Sequence, residues 1–308
     1  MRVATYRAGT LRSWGVIHDE RVSDARAVDG APRSIRALLE RGDRARWLEA
    51  LAAPTVGTIA LADVRLLAPL EPRQDLIALG LNYRTHVDET SGSTKQAAPP
   101  KQPIVFGKAA SSVTGPETEV HVDPAVTGQV DWEVELAVVI GRTGRDIAPA
   151  AALDHIFGYT VANDVSARDL QFQDGGQWYR GKSLDTFCPL GPWIVTSDEL
   201  GDAKGLRASL RVNGVTKQDA STDDLIFAIP AIIASVSTGR TLYPGDVILT
   251  GTPGGVGFTR TPPEFLRDGD LVEAEIERIG VLRTPVISWQ EGHGTPALPR
   301  VRPWGENA

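Results

Sequence analysis

The sequence predicts a mixed α+β, strand-rich fold in two parts: a small N-terminal α+β domain over residues 1–70 and a larger domain over residues 71–308. Three observations lead there. Most apolar runs are short, rich in Val, Ile and Leu, and bounded by Gly, Pro, Asn or Asp, which is how strands are punctuated. The few helical patterns are short as well. Pro69 and Pro72 bracket a boundary between the parts.

In the first part, strands are expected at residues 2–6 and 13–18. Ser34 is placed to cap a helix with Ile35, Leu38 and Leu39 on one face, stopped by Gly42. Asp43 starts a second helix with Trp47, Leu48 and Leu51 apolar, and Pro54 ends it. Residues 64–67 return as strand. No internal repeat and no low-complexity segment is visible.

The second part opens on an apolar strand, residues 76–79, that passes Gly80 into a polar turn and a short helix carrying His86 and Glu89. Residues three apart on a helix are neighbours. The two therefore form either a surface pair or an imidazole oriented by a carboxylate and made a better base. A polar loop, residues 91–102, follows; residues 104–106 form a strand that delivers Lys108.

The stretch Asp131-Trp-Glu-Val-Glu-Leu-Ala-Val-Val-Ile140 reads as one strand with Glu133 and Glu135 on the same face. Taken alone, the two carboxylates read as a solvated face; in a pocket, a divalent cation would offset their repulsion. Downstream, a second strand at 159–161 runs into Asn163-Asp164. A third acid at the end of a buried-looking strand makes an all-oxygen cation site with Glu133 and Glu135. Such ligands suit Mg²⁺ or Mn²⁺, with Ca²⁺ also accommodated, rather than zinc.

Residues 149–157 are expected to be helical, and Gly175-Gly176 to hinge the ligand-facing segment 170–183. Residues 192–196 read as strand, and 206–218 as a hairpin turning at Asn213-Gly214. Residues 223–238 read as an amphipathic helix disturbed by Pro230. A strand then empties into the glycine-rich Thr250-Gly-Thr-Pro-Gly-Gly-Val-Gly257. This is not a P-loop, because no Lys-Ser/Thr follows. Its backbone N–H groups and Thr252 can still meet a carboxylate. The last strands are expected within 271–287, and the proline-rich tail from His293 as loop.

A composition of 42% apolar and 23% charged residues argues against disorder, and the net charge of −7 without a basic stripe against nucleic acid. Cys188 is the single cysteine, so no intrachain disulfide forms, as expected in a reducing compartment. The first residues lack the apolar core of a signal peptide, and no apolar run reaches the ~20 residues of a membrane span. The expectation is a cytoplasmic protein without membrane or nucleic-acid partners, in which an anionic substrate would need a local positive site or a metal.

Five of these stretches occur in the order found in the fumarylacetoacetate hydrolase family: Gly80-Leu-Asn-Tyr-Arg-Thr-His86-Val-Asp-Glu89, Asp131-Trp-Glu133-Val-Glu135, Asn163-Asp164-Val-Ser-Ala-Arg168-Asp169, Arg180-Gly-Lys182-Ser183 and Thr250 to Gly257. The chain resembles that family over roughly residues 70–288. The resemblance implies a mixed β-roll with short peripheral helices, a homodimer, and a small anionic 2-oxo acid as substrate. It implies that Glu133, Glu135 and Asp164 hold the metal and that His86 is the catalytic histidine. Glu89 matches the histidine's partner in single-domain members acting on acylpyruvates and oxaloacetate, and Lys182 the lysine beside the metal. Gln171 and Thr252 match substrate contacts, and Arg84 and Lys108 join them as candidates. The family's tyrosine-catabolic enzymes carry a much larger N-terminal domain, so fumarylacetoacetate itself is not the expected substrate.

The implied activity is Mg²⁺- or Mn²⁺-dependent hydrolysis of the C–C bond of a 2,4-dioxo acid of acylpyruvate type, giving pyruvate and a carboxylic acid through a metal-bound enolate. An oxaloacetate-type decarboxylase, or a hydratase, lyase or isomerase of a related 2-oxo acid, would use the same core. A catalytically silent metal-binding or interaction protein is the alternative outside enzymology.

Overall fold

The protein was studied as a computed structural model, which describes residues 1–53, 57–91 and 98–289. The expected helix stop at Pro54, the loop residues 92–97 and the tail from 290 lie outside the described residues.

The strand Val134–Ile140 is wholly buried and has a sheet neighbour on either side. Its even-numbered residues, Val134, Leu136, Val138 and Ile140, enter one core; Ala137 and Val139 enter another. Burial on both faces explains the unbroken apolar run. It pairs antiparallel with Ile156–Asn163 on one side and Val247–Leu249 on the other. The full sheet has twelve strands. Beyond Ile156–Asn163 come Cys188–Thr196, Arg2–Ala8, Leu11–His18, Arg21–Asp24 and Thr58–Ala60; beyond Val247–Leu249 come Leu76–Gly80 and the end strand Ile104–Lys108. The strands of residues 1–60 thus continue the sheet of the larger part, through pairing of Arg2–Ala8 with Cys188–Thr196.

A five-stranded sheet lies against one face. It contains the hairpin Arg207–Val212 and Val215–Ser221, with Asn213 and Gly214 both at positive φ, as that turn requires. Leu210, Val272, Ile276 and Leu282 of this sheet complete the core with Val134, Leu136 and Val161. The other face is covered by the two N-terminal helices, Ile35–Leu39 and Arg44–Ala52, through Ile35, Leu38, Leu39, Trp47 and Leu51. The Ser34 hydroxyl caps the first by accepting from the Ala37 N–H at 3.1 Å. The result is the mixed α+β, strand-rich architecture with short peripheral helices that was expected.

Several boundaries differ. The strand read from Asp131 is interrupted: Val130–Asp131 pairs with Ser166–Ala167, and Trp132 and Glu133 lie between it and the long strand. The break follows from side-chain capture of the backbone, since the Trp132 N–H donates to its neighbour's Asp131 Oδ1 and the Glu133 N–H to Asn163 Oδ1. The expected helix over 149–157 is a 3₁₀ segment, Pro149–His155, and the next strand already begins at Ile156. Of residues 223–238, only Ile229–Ser237 is α-helical, because Pro230 fits the first turn, where no N–H is needed. Segment 170–183 folds into Arg168–Gln171, the 3₁₀ turn Gln173–Gly175 and the helix Trp178–Lys182. Among the described residues no helix is long and apolar enough to cross a membrane.

The N-terminal helices should contribute to global stability. Leu38 is fully buried between them and the central sheet. Leu38→Ala is expected to cost about 2–5 kcal/mol, read as a lower denaturation midpoint in urea at unchanged slope.

Candidate active site

The register of the two central strands assembles the acids. Glu135 stands opposite Ala162 and Val134 opposite Asn163, so Asp164 follows opposite Glu133, and its N–H donates to the Glu133 carbonyl at 2.8 Å. Glu133, Glu135 and Asp164 therefore share one face. Their carboxylate oxygens lie within 4.8 Å of one another, and all three residues are buried.

Three cations offset this charge. Lys182 Nζ donates to Glu133 Oε2 at 2.9 Å and to Asp164 Oδ2 at 2.6 Å. Lys108 Nζ lies 2.6 Å from Asp164 Oδ1, and Arg168 Nη2 lies 2.7 Å from Glu133 Oε1. Burial alone would raise the Glu133 pKa, but Lys182, Arg168 and His86 outweigh it and hold the carboxyl at about 2. Burial likewise works against a charged Lys182, yet Asp164 and Glu133 keep its pKa above the ordinary lysine value.

Glu135 is the exception. Burial first, then the charges of Asp164 and Glu133, push its pKa well above the usual carboxylate range. Its Oε2 accepts the Gly251 N–H at 2.6 Å, while its buried Oε1 has no hydrogen-bond partner. An orphaned carboxylate oxygen beside two further carboxylates fits a hard divalent cation of the Mg²⁺ or Mn²⁺ kind.

His86 lines a pocket shared with Glu133, and Glu89 stands beside it on the same helix, Arg84–Thr90. His86 Nδ1 lies 2.7 Å from Glu89 Oε1. Glu89 Oε2 is fixed by the Gly255 N–H at 2.7 Å and the Thr259 hydroxyl at 3.1 Å. The pocket between His86 and Glu133 is narrow, about 40 Å³, and is also lined by Arg168, Gln171, Lys182 and Thr252 with aromatic walls. Trp178 presses so close to Gly80 that a Cβ there would overlap its ring.

Not every expected residue lines this pocket. Arg84 is exposed; it sits two residues before His86, about 200° around the helix, and so turns to solvent. Lys108 is fully buried beneath Asp164, where it also donates to the carbonyls of Val165 and Lys182. It is a countercharge to the acids and does not reach the cavity. Thr252 is at the wall, but its hydroxyl donates to the Val134 carbonyl at 3.0 Å and accepts from Gln218 Nε2 at 2.8 Å. The N–H groups of the glycine-rich loop meet carboxylates as expected, and these are the protein's own: Glu135, Glu89 and Asp131. Gly251 and Gly255 permit this with φ of 101° and 105°.

Sequence reasoning missed Arg168 and Asp131 as site residues. Both stand inside motifs that were read, and the signal was the imbalance of charge: three clustered acids with one assigned lysine need further cations. The walls Phe106, Trp178, Phe172 and Phe258 carried no comparable signal.

Residues 75–287 match the family described as Fumarylacetoacetate (FAA) hydrolase C-terminal. The chain belongs to that family. It is 44% identical over 269 residues to the oxaloacetate tautomerase Fahd2a, mitochondrial, of Rattus norvegicus, covering 86% of this chain and 84% of that protein. It is 40% identical over 288 residues to the oxaloacetate tautomerase YisK of Bacillus subtilis (strain 168), covering 88% and 94%. Among solved structures, a fumarylacetoacetate hydrolase from psychrophilic Exiguobacterium antarcticum superposes with a TM-score of 0.83 at 37% identity, covering 94% of this chain and all of that one. The family expectation and membership in a family of enzymes therefore hold. The hydrolase activity expected from the sequence is narrower than these relatives support, since two of them are named as tautomerases.

The metal fit is testable without an assay. A raised folded-state pKa means that Glu135 favours folding at low pH and that this contribution is lost as pH rises through its folded pKa, above the usual carboxylate range. Glu135→Gln should leave the chelator-treated protein at neutral pH as stable as the parent or more so. It should abolish stabilisation by Mg²⁺, which for the parent is about 2.7 kcal/mol at a free concentration about 100 times Kd. Thermal unfolding with Mg²⁺ or EDTA reads both.

Proposed function

We propose that the protein is a divalent-cation-dependent tautomerase of small 2-oxo acids, with oxaloacetate the first candidate substrate. The observation that carries this reading is a histidine oriented by a carboxylate, His86 held by Glu89, lining one narrow cavity with Glu133 of the acidic trio. The names of the two tautomerase relatives support it.

The proposed division of labour follows from hydrogen-bonding capacity. Ionised Glu89 only accepts, so His86 Nδ1 carries the proton between them and Nε2 keeps a lone pair. His86 then takes a proton from C3 of the keto form and delivers it to the C2 oxygen of the resulting enolate, giving the enol, or runs the same transfer in reverse. Glu133, Glu135 and Asp164 would hold Mg²⁺ or Mn²⁺, which when bound polarises the 2-oxo and carboxylate oxygens and so makes C3–H acidic. Gln171 Oε1 accepts from Arg168 Nη1 at 2.9 Å, which leaves its amide N–H₂ to donate to a substrate carboxylate. Lys182 and Arg168 keep the site's potential from repelling an anion. The aromatic walls exclude bulk water. Tautomerisation needs one base and no positioned water, which suits so small a cavity.

Hydrolysis of an acylpyruvate is the second reading, favoured by the structural similarity to a fumarylacetoacetate hydrolase. It requires water between the dyad and C4. Decarboxylation would use the same polarised 2-oxo acid without that water. A homodimer also remains a proposal: the end strand Ile104–Lys108 leaves Val105 45% exposed, and Tyr179, whose ring lies against Gly107 of that strand, 50% exposed, an apolar edge that a second copy would cover. The division near residue 70 and a cytoplasmic location are likewise proposals, the first supported by the family match beginning at residue 75.

The test follows enol-oxaloacetate absorbance, with pyruvate release from oxaloacetate and from an acylpyruvate panel measured in parallel. Accelerated, Mg²⁺-dependent enol decay is expected. His86→Ala should lower it by about 10²–10⁴-fold, the usual contribution of a general base. Enol decay at the buffer rate, together with cleavage of an acylpyruvate, would replace this reading with the hydrolase one.

A further inference from the structure

We propose that Asp131 is a positioning residue that ties the acidic trio to the His86–Glu89 dyad, a role that rests on reading that dyad as the proton-transfer pair. Asp131 is fully buried and accepts four hydrogen bonds. Its Oδ1 takes the N–H groups of Trp132 at 2.8 Å and Gly257 at 2.7 Å. Its Oδ2 takes Arg168 Nε at 2.8 Å and the Phe258 N–H at 3.1 Å. A buried carboxylate is costly unless its lone pairs are satisfied, and these donors come from separate segments.

Each segment continues to a different half of the site. Arg168 extends from Asp131 to Glu133 Oε1 and Gln171 Oε1. The glycine-rich loop extends from Gly257 and Phe258 to the Gly255 N–H and Thr259 hydroxyl, both on Glu89. The loop approaches so closely that a Cβ on Gly257 would meet Asp131 Oδ1 at 2.7 Å. Asp131 is thus the joint between a cation that neutralises Glu133 and the backbone that orients Glu89. Replacing it by Asn cannot preserve both: the new N–H₂ opposes either Trp132 and Gly257 or Arg168 and Phe258, whichever way the amide is turned.

The experiment compares Asp131→Asn with Asp246→Asn, a buried carboxylate elsewhere that accepts the Tyr243 N–H at 2.8 Å. For Asp131→Asn we expect kcat of the tautomerisation to fall by about 10–100-fold at unchanged KM, the scale of a dyad displaced by under an ångström. Stabilisation by Mg²⁺ should persist, because the three acids keep their other partners. In a Glu89→Gln background the same change should cost nothing more. Hydrogen exchange in the 250–260 peptide should quicken in Asp131→Asn and not in Asp246→Asn. A wild-type kcat, a loss that multiplies with that of Glu89→Gln, or unchanged loop exchange would each overturn the proposal. If the wild type acts on no 2-oxo acid, the tautomerase reading fails, while the exchange comparison still decides whether Asp131 holds the loop. If Asp131→Asn does not fold, Thr259→Val tests the connection from its far end: a kcat loss absent in the Glu89→Gln background supports it, and a fully multiplicative loss overturns it.

Discussion

Everything at this site depends on placing three carboxylates on one buried patch of sheet. Like charges that close do not all ionise without countercharge, and removing ions from water costs several kcal/mol each. The protein meets this with three cations drawn from three places: Lys108 at the end of a strand, Lys182 from a five-residue helix and Arg168 from the start of the helix Arg168–Gln171. The compensation is uneven. Glu133 and Asp164 are paired, and Glu135 is left with an unpartnered oxygen. That unevenness leaves a place that a further cation could take, which a fully satisfied ionic cluster would not.

The second organising element is the glycine-rich loop. It resembles an anion-binding loop in sequence, and it does bind anions, but they are Glu135, Glu89 and Asp131 of the same chain. One stretch of backbone thereby holds Glu135 of the acidic trio, Glu89 of the dyad and the joint between the two groups. Such a loop needs glycine for two separate reasons: positive φ at Gly251 and Gly255, and close approach at Gly257. A loop that carries this many internal obligations is rigid, which is what proton transfer between fixed partners requires.

Where the sequence was read correctly, the signal was local. Alternation placed Glu133 and Glu135 on one face, the three-residue spacing placed His86 beside Glu89, and Asn213-Gly214 named its own turn. Where it misled, a side chain from elsewhere had intervened. Asn163 Oδ1 takes the Glu133 N–H and Asp131 Oδ1 the Trp132 N–H, which breaks the strand just where its pattern looked continuous. Arg84 is in the right motif and on the wrong side of its helix. Lys108 has the right charge at the right distance from Asp164, but beneath the site and out of the cavity.

The sequence by itself determined the short elements, the chemistry available and the family, because periodicity, turn residues and ordered motifs are properties of neighbouring positions. It was also enough to name the three acids and the dyad. Only the tertiary structure decided how charge is shared among them, because pairing over distances such as Lys182 to Glu133 depends on sheet register and helix placement. The same is true of the continuity of residues 1–60 with the central sheet, which a proline-marked boundary conceals. Strand pairing is set by which edges meet when the chain collapses, and no local pattern in Arg2–Ala8 names Cys188–Thr196 as its partner.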